Sequence, residues 1–197
     1  FITALYDPNG QQLWVDNFLY ERPIDELDPE SELIPTNSTA YDLVFDNIGN
    51  VYVTGTFDTT TLTRMGTIKY SILGERQWVN THRVIDQNNY LLTFGYDIKI
   101  TSEDILYIGG KYLGENSNEG LVLVSYNNDG SENWIQTIND IDDVYANCHL
   151  ILDENERPII TGMGFVDNTY DTYLKTIRFN QFGDIINEVE VIREYSN

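Results

Sequence analysis

A chain of 197 residues with 32 acidic against 11 basic side chains, net charge −21, lacks the clustered Lys and Arg that nucleic-acid backbones or anionic lipid surfaces require. An apolar fraction of 41% with 13% aromatic residues excludes a disordered chain, which is poor in aromatics. A single cysteine, Cys148, excludes an internal disulfide and a thiolate metal site, and no apolar run approaches the ~20 residues of a spanning helix.

The acidic surplus reads first as solubility and self-repulsion; its sharper reading is a cation or a basic partner. Cys148 lies in the apolar run NCHLIL and reads as a small buried hydrophobe. The chain opens on Phe1 and not on Met, so an upstream leader or region is expected.

In chain order, the first predicted element is a hairpin, residues 1–6 and 11–20, around the turn DPNG. Residues 21–39 follow as a loop. Its part PIDELDPESELIPTNST is rich in Pro and acids, with room for one helical turn at 29–33. Three four-stranded units come next, assigned to residues 40–86, 87–139 and 140–197. Their strands are predicted at 41–46, 50–57, 65–71 and 76–84; at 96–101, 105–112, 120–126 and 132–138; and at 147–152, 158–164, 173–179 and 185–194. No helical periodicity competes with them.

The units are visible as repeats. YDLVFDNIGNVYVTGTF (Tyr41–Phe57) returns as YDIKITSEDILYIGGKY (Tyr96–Tyr112) and as CHLILDENERPIITGMG (Cys148–Gly164). Gly55, Gly110 and Gly162 mark it, 55 and then 52 positions apart. A second segment occurs four times: TALYDPNGQQLWV, TIKYSILGERQWV, LVSYNNDGSENWI and TIRFNQFGDIINE. In each, an alternating strand ends in Tyr or Phe, and a turn follows with Gly10, Gly74, Gly130 or Gly183. The next strand places Trp14, Trp78 or Trp134 four residues after that glycine; the last copy has Asn187 there. The turn glycine supplies positive φ at no steric cost.

Four antiparallel strands per unit of about 40–50 residues are the signature of a propeller blade. The expected fold is all-β and β-propeller-like: three four-stranded blades plus an N-terminal two-stranded half-blade, a partial propeller. A sandwich or solenoid of stacked sheets is the runner-up. Three blades and a hairpin do not close a ring, so the missing blades are expected from the same longer chain or, second, from another copy.

Ala40–Phe57 followed by Thr67–Val79 resembles the SBBP-type β-propeller repeats of bacterial and archaeal surface proteins. That family's blades run from an apolar strand ending in Asp, through a Gly-Asn turn, to Val-Tyr-Val-Thr-Gly, then a Lys-Tyr strand, a Gly turn and Trp. The second unit departs at Thr101 and Asp104, the third at Ile159 and Asn187. The resemblance implies a seven- or eight-bladed propeller, an extracellular or cell-surface location and no catalytic residues.

Two sets of equivalent residues are candidate sites. Asp42, Asp97 and His149 start the inner strand of each unit and would converge at a channel mouth, where two carboxylates and an imidazole suit Ca2+ or another divalent cation. The structural alternative is that they bond backbone amides. Trp14, Trp78 and Trp134 would offer glycan-stacking platforms or, structurally, pack between blades, with Tyr6, Tyr70, Tyr126 and Phe179 in the core. The acidic run Asn139–Tyr145 lacks the Gly and terminal Glu of an EF-hand loop and reads as solvated. Asn37-Ser38-Thr39 fits a glycosylation sequon. No nucleophile elbow, phosphate loop or zinc-protease helix occurs, and His82 and His149 lie on different units. The expected function is therefore a non-enzymatic binding or scaffold module for a protein or glycan. The alternatives are an enzyme or metal-binding domain with a channel-mouth site, or a subunit that completes an assembly.

Overall fold

The computed structural model describes residues 1–23, 33–35, 37–58, 63–86, 89–114, 119–139, 148–165 and 172–193. Every regular element among them is a β-strand. A hairpin of β1 (Ile2–Tyr6) and β2 (Gln12–Asn17) comes first, and β3 (Glu21–Pro23) pairs with β4 (Leu33–Pro35). The first four-stranded sheet is β5 (Asn37–Phe45), β6 (Val51–Asp58), β7 (Thr63–Tyr70) and β8 (Arg76–His82). After a short ribbon of β9 (Ile85–Asp86) and β10 (Asn89–Tyr90), the second is β11 (Leu92–Ile100), β12 (Leu106–Leu113), β13 (Glu119–Tyr126) and β14 (Glu132–Ile138). The third is β15 (His149–Leu152), β16 (Pro158–Phe165), β17 (Thr172–Phe179) and β18 (Ile185–Arg193). All four principal sheets are antiparallel meanders in sequence order. No described helix is long and apolar enough to cross a membrane.

One turn builds seven of the ten hairpins within these sheets; the connections β6–β7, β12–β13 and β16–β17 run through residues outside the described set. The residue at its start and the one four later close the loop, as in Asp7 N–H to Gln11 O at 2.9 Å and Ser71 N–H to Glu75 O at 2.8 Å. The fourth residue takes positive φ, as in a type I turn followed by a bulge. Side chains reinforce it: Asp7 Oδ1 accepts the amides of Asn9 and Gln11, both at 2.8 Å, and Asp46, Ser71, Asp153 and Asn180 repeat the motif. Five of the positive-φ positions are glycine, at 10, 49, 74, 130 and 183; Asp104 (φ 61°) and Glu156 (φ 57°) hold the other two.

The inner strands start four residues earlier than predicted, at Asn37 and Leu92. A bulge between Ala40 and Asp42 and another between Gly95 and Asp97 break the alternation at Tyr41 and Tyr96, and the strands resume beyond it. Residues 21–39 are correspondingly not all loop: 21–23 pair with 33–35, and 37–39 belong to β5. The helical turn proposed at 29–33 lies outside the described residues except for Leu33, which is in β4.

The sheets stack in chain order, and three core clusters lie at the successive junctions. Phe1, Phe18, Val53, Phe57, Ile68 and Tyr70 fill the first. Tyr52, Met65, Ile98, Ile108, Val124 and Tyr126 fill the second. Tyr107, Leu121, Leu123, Leu150, Ile160 and Phe179 fill the third, with Cys148 buried among them. Each middle sheet thus buries both faces, which is why β6, β7, β12 and β13 are buried nearly throughout. Tyr6, expected in the core with Tyr70, Tyr126 and Phe179, is instead 55% exposed, because no described sheet covers its side of the hairpin.

Candidate functional site

The two aligned sets do one job each, and both act between sheets. Asp42 stands just past the bulge in β5, and its Oδ2 accepts the Ile98 amide of β11 at 3.1 Å. Asp97, one repeat on, accepts the Leu150 amide of β15 at 2.9 Å. Each aspartate clasps the amide one residue beyond its own counterpart in the next sheet. Lys99 adds its ammonium to the pair: Nζ bonds Asp97 Oδ1 and lies 3.5 Å from Asp42 Oδ2. Burial alone would raise the Asp42 carboxyl, but the Ile98 amide, Asp97, the Leu43 amide and Lys99 outweigh it and hold it below the ordinary range.

A cation already stands between these carboxylates, and it is Lys99. His149 does not complete a triad: it is exposed at the start of β15, adjacent to the amide that Asp97 clasps. Among the described residues no group of three or more His, Cys, Asp or Glu side chains is placed to hold a metal ion. The expected convergence of Asp42, Asp97 and His149 on one ligand is replaced by a serial tie from sheet to sheet. The acidic residues Asp140, Asp142 and Asp143 lie outside the described residues.

The tryptophans are also ties. Trp14 Nε1 donates to Ile72 O at 3.1 Å, Trp78 to Asn128 O at 3.0 Å and Trp134 to Gln181 O at 2.9 Å. Each accepting carbonyl sits two residues before the turn glycine of the next sheet. Each indole lies over that glycine: a Cβ on Gly74, Gly130 or Gly183 would meet indole carbons at 2.7, 3.0 or 2.9 Å. Each also meets the aromatic residue ahead of that turn, at centroid distances of 5.6 Å (Trp14–Tyr70), 6.4 Å (Trp78–Tyr126) and 6.3 Å (Trp134–Phe179). The indoles are half-buried wedges and not a row of open platforms.

Asn128 was not singled out by the sequence, yet it is the hub of the middle junction. Its carbonyl receives Trp78 and, at 3.1 Å, Lys69 Nζ; its Oδ1 receives Lys69 and, at 3.3 Å, the Tyr52 hydroxyl. The Tyr52 hydroxyl also bonds Asp46 Oδ2 at 3.1 Å, and burial together with the Asp46 charge raises its pKa. Glu156, at a positive-φ turn position, accepts Ser102 N–H and Oγ–H at 2.9 and 2.8 Å from the preceding sheet. That bond gives the Glu156 carboxylate a role at a position where five of the other six turns use glycine. The signal was present in NNDG and DENER, but only as turn composition.

His82, at the end of β8, is a titratable group the repeat does not explain. Burial lowers its imidazole to about 4, and Nε2 has no hydrogen-bond partner among the described residues. The folded chain therefore prefers neutral His82. Its contribution is complete above the unfolded value of about 6.5 and is lost as pH falls through that value towards 4. The loss is about 2 kcal/mol at roughly pH 4.5; the Glu132 carboxyl lies 3.8 Å from Nδ1, but burial raises its own pKa, so it carries little charge to offset the loss there. Denaturant titration of wild type and His82→Gln at pH 7 and at that lower pH should show the gap between them narrowing by this amount. A gap independent of pH would assign the acid sensitivity to other groups.

The described residues thus define an all-β chain of successive antiparallel sheets, one of two strands and three of four, tied by repeated polar and aromatic contacts. No protein-family model matches the chain, and no curated protein matches it.

Proposed function

We propose that the sheets are blades of a β-propeller and that the chain is a non-enzymatic binding or scaffold module of a surface or secreted protein, meeting a protein or glycan partner through its loops. One observation carries the reading. The repeat-equivalent residues that would build a catalytic or metal centre, Asp42 and Asp97, are engaged in sheet-to-sheet bonds, and so are the three tryptophans. The stacking of successive meanders in chain order supports blades over a two-sheet sandwich, because each middle sheet is covered on both faces. The surface or secreted location rests on the likeness to SBBP-type repeats.

Two titrations of the intact chain test the reading, one with Ca2+ read by melting temperature and one with soluble oligosaccharides read by tryptophan fluorescence. A scaffold built as described shows no calcium-dependent rise in Tm and no oligosaccharide-dependent change in indole emission. A calcium-dependent rise that disappears in Asp97→Asn would overturn the reading in favour of a metal centre. Saturable indole quenching by an oligosaccharide would return the tryptophans to ligand binding.

A further inference from the structure

The Trp tie has a donor half and a receiving half, and the chain carries one unmatched copy of each. The receiving half is a turn glycine at positive φ, the carbonyl two residues before it, and the aromatic residue that ends the preceding strand. Three receivers are filled: Tyr70 with Ile72 and Gly74, Tyr126 with Asn128 and Gly130, Phe179 with Gln181 and Gly183. The fourth is Tyr6, Pro8 and Gly10. Its turn is the same, with φ of 82° at Gly10 and Gly10 N–H bonded to Asp7 O at 3.0 Å. A Cβ on Gly10 would meet nothing within 4 Å, where its three counterparts meet an indole.

The hairpin face around this turn is also open. Ile2 is 74% exposed, Leu13 58% and Val15 53%. Tyr70, Tyr126 and Phe179, the counterparts of Tyr6, are buried at 0%, 4% and 0%. This is the side that every later sheet presents to the sheet before it.

The unmatched donor is Asn187 in β18, four residues after Gly183. A primary amide can offer an N–H to a carbonyl, but it cannot cover a glycine turn and an aromatic ring. A tryptophan buries about 150–250 Å² in doing so. The aspartate clasp changes in the same sheet, to His149. The last sheet therefore lacks both devices by which the two earlier four-stranded sheets hold their successors, including the tryptophan that the hairpin shares with them.

We propose that the Tyr6–Gly10 turn and the open face of β1–β2 receive a further four-stranded sheet of the same repeat type. That sheet carries a tryptophan four residues after its own turn glycine and is supplied neither by this chain's last sheet nor by a second copy's. The proposal rests on the reading of the sheets as successive blades. It narrows the occupant, since a chain closing on itself or joining head to tail would present Asn187 to the Gly10 turn. The net charge of −21 on every copy opposes the same contact.

The test converts the unmatched donor into a matched one. Wild type, Asn187→Trp and the double variant Asn187→Trp/Val15→Lys are compared by size-exclusion chromatography with light scattering, with circular dichroism confirming the fold. Wild type is expected at the mass of one copy, 22.7 kDa. Asn187→Trp is expected to at least double that mass by head-to-tail association, and Val15→Lys to return it to one copy. An Asn187→Trp chain that stays at one copy overturns the proposal, because the Gly10 turn is then no receiver. Wild type that already associates, and stops on Val15→Lys alone, also overturns it, because a second copy is then the occupant. Trp78→Ala, measured in parallel, separates the two levels. If it is destabilised while Asn187→Trp fails to associate, the blade reading stands and only this proposal falls. A Trp78→Ala chain as stable as wild type removes the blade reading itself.

Discussion

Trp78→Ala is expected to lower the stability of the chain by about 3–5 kcal/mol, the range for deleting a large aromatic from a packed site. The indole meets Tyr52 at a centroid distance of 6.0 Å on one side and Tyr126 at 6.4 Å on the other. It covers Gly130, and its Nε1 bonds Asn128 O at 3.0 Å. Removal opens a cavity between the first and second four-stranded sheets, and the Asn128 carbonyl keeps only Lys69 as a donor. The measurement is a urea titration with the m-value fitted. At about 2–4 °C per kcal/mol for a chain of this size, the same loss should appear as a fall of roughly 10 °C in Tm. Trp78→Phe should recover the packing share and leave the hydrogen-bond share, about 1 kcal/mol, missing. A loss under about 1 kcal/mol for the alanine variant would mean that this junction does not depend on the indole.

The second large effect separates three glycines that the repeat presents as equivalent. Gly55→Ala and Gly110→Ala are expected to cost about 3 kcal/mol or more each, and Gly162→Ala about 1 kcal/mol. A Cβ on Gly55 would lie 2.0 Å from Thr39 O, and one on Gly110 1.9 Å from Phe94 O. Both are backbone carbonyls of the adjacent strand, next to the bulges at Tyr41 and Tyr96, so relief requires the strands to part. A Cβ on Gly162 would meet Leu121 Cδ2 at 2.8 Å, the far end of a side chain that can rotate away. Denaturant midpoints for the three variants check the order. Equal costs would mean that the carbonyl contacts of Gly55 and Gly110 do not set the requirement for glycine.

The bulges also mark where the reading of the sequence stopped short. Period-two alternation located most strand ends within two residues, because alternation and turn chemistry are local signals. It failed at the starts of β5 and β11, since an inserted residue reverses the phase and hides the strand on its far side. Positive φ was legible wherever glycine supplied it. It was not legible at Asp104 and Glu156, where glycine is absent. Glu156 is held by Ser102, 54 residues away in sequence.

The candidate site shows the same division. The alignment of Asp42 with Asp97, and of Trp14 with Trp78 and Trp134, follows from the repeat alone. Their use does not: Asp42 reaches its amide 56 residues on, and Trp78 reaches its carbonyl 50 residues on. A repeat constrains equivalent positions to equivalent environments without saying whether that environment is a ligand or the next sheet. Lys99, which supplies the positive charge between the two aspartates, falls outside both aligned sets.

The all-β class, the meander of four strands per unit and the turn positions were legible in the residues alone, because each depends on residues within about one hairpin of one another, and the mismatch at Asn187 was legible from comparing the repeats. Packing of sheet on sheet settled the rest: that the aligned aspartates and tryptophans are ties, that Tyr6 lies open while its counterparts are buried, and that the Gly10 turn carries no indole. These depend on which face of one sheet meets which face of the next. Stacking sets that relation between residues about fifty positions apart, and no local pattern records it.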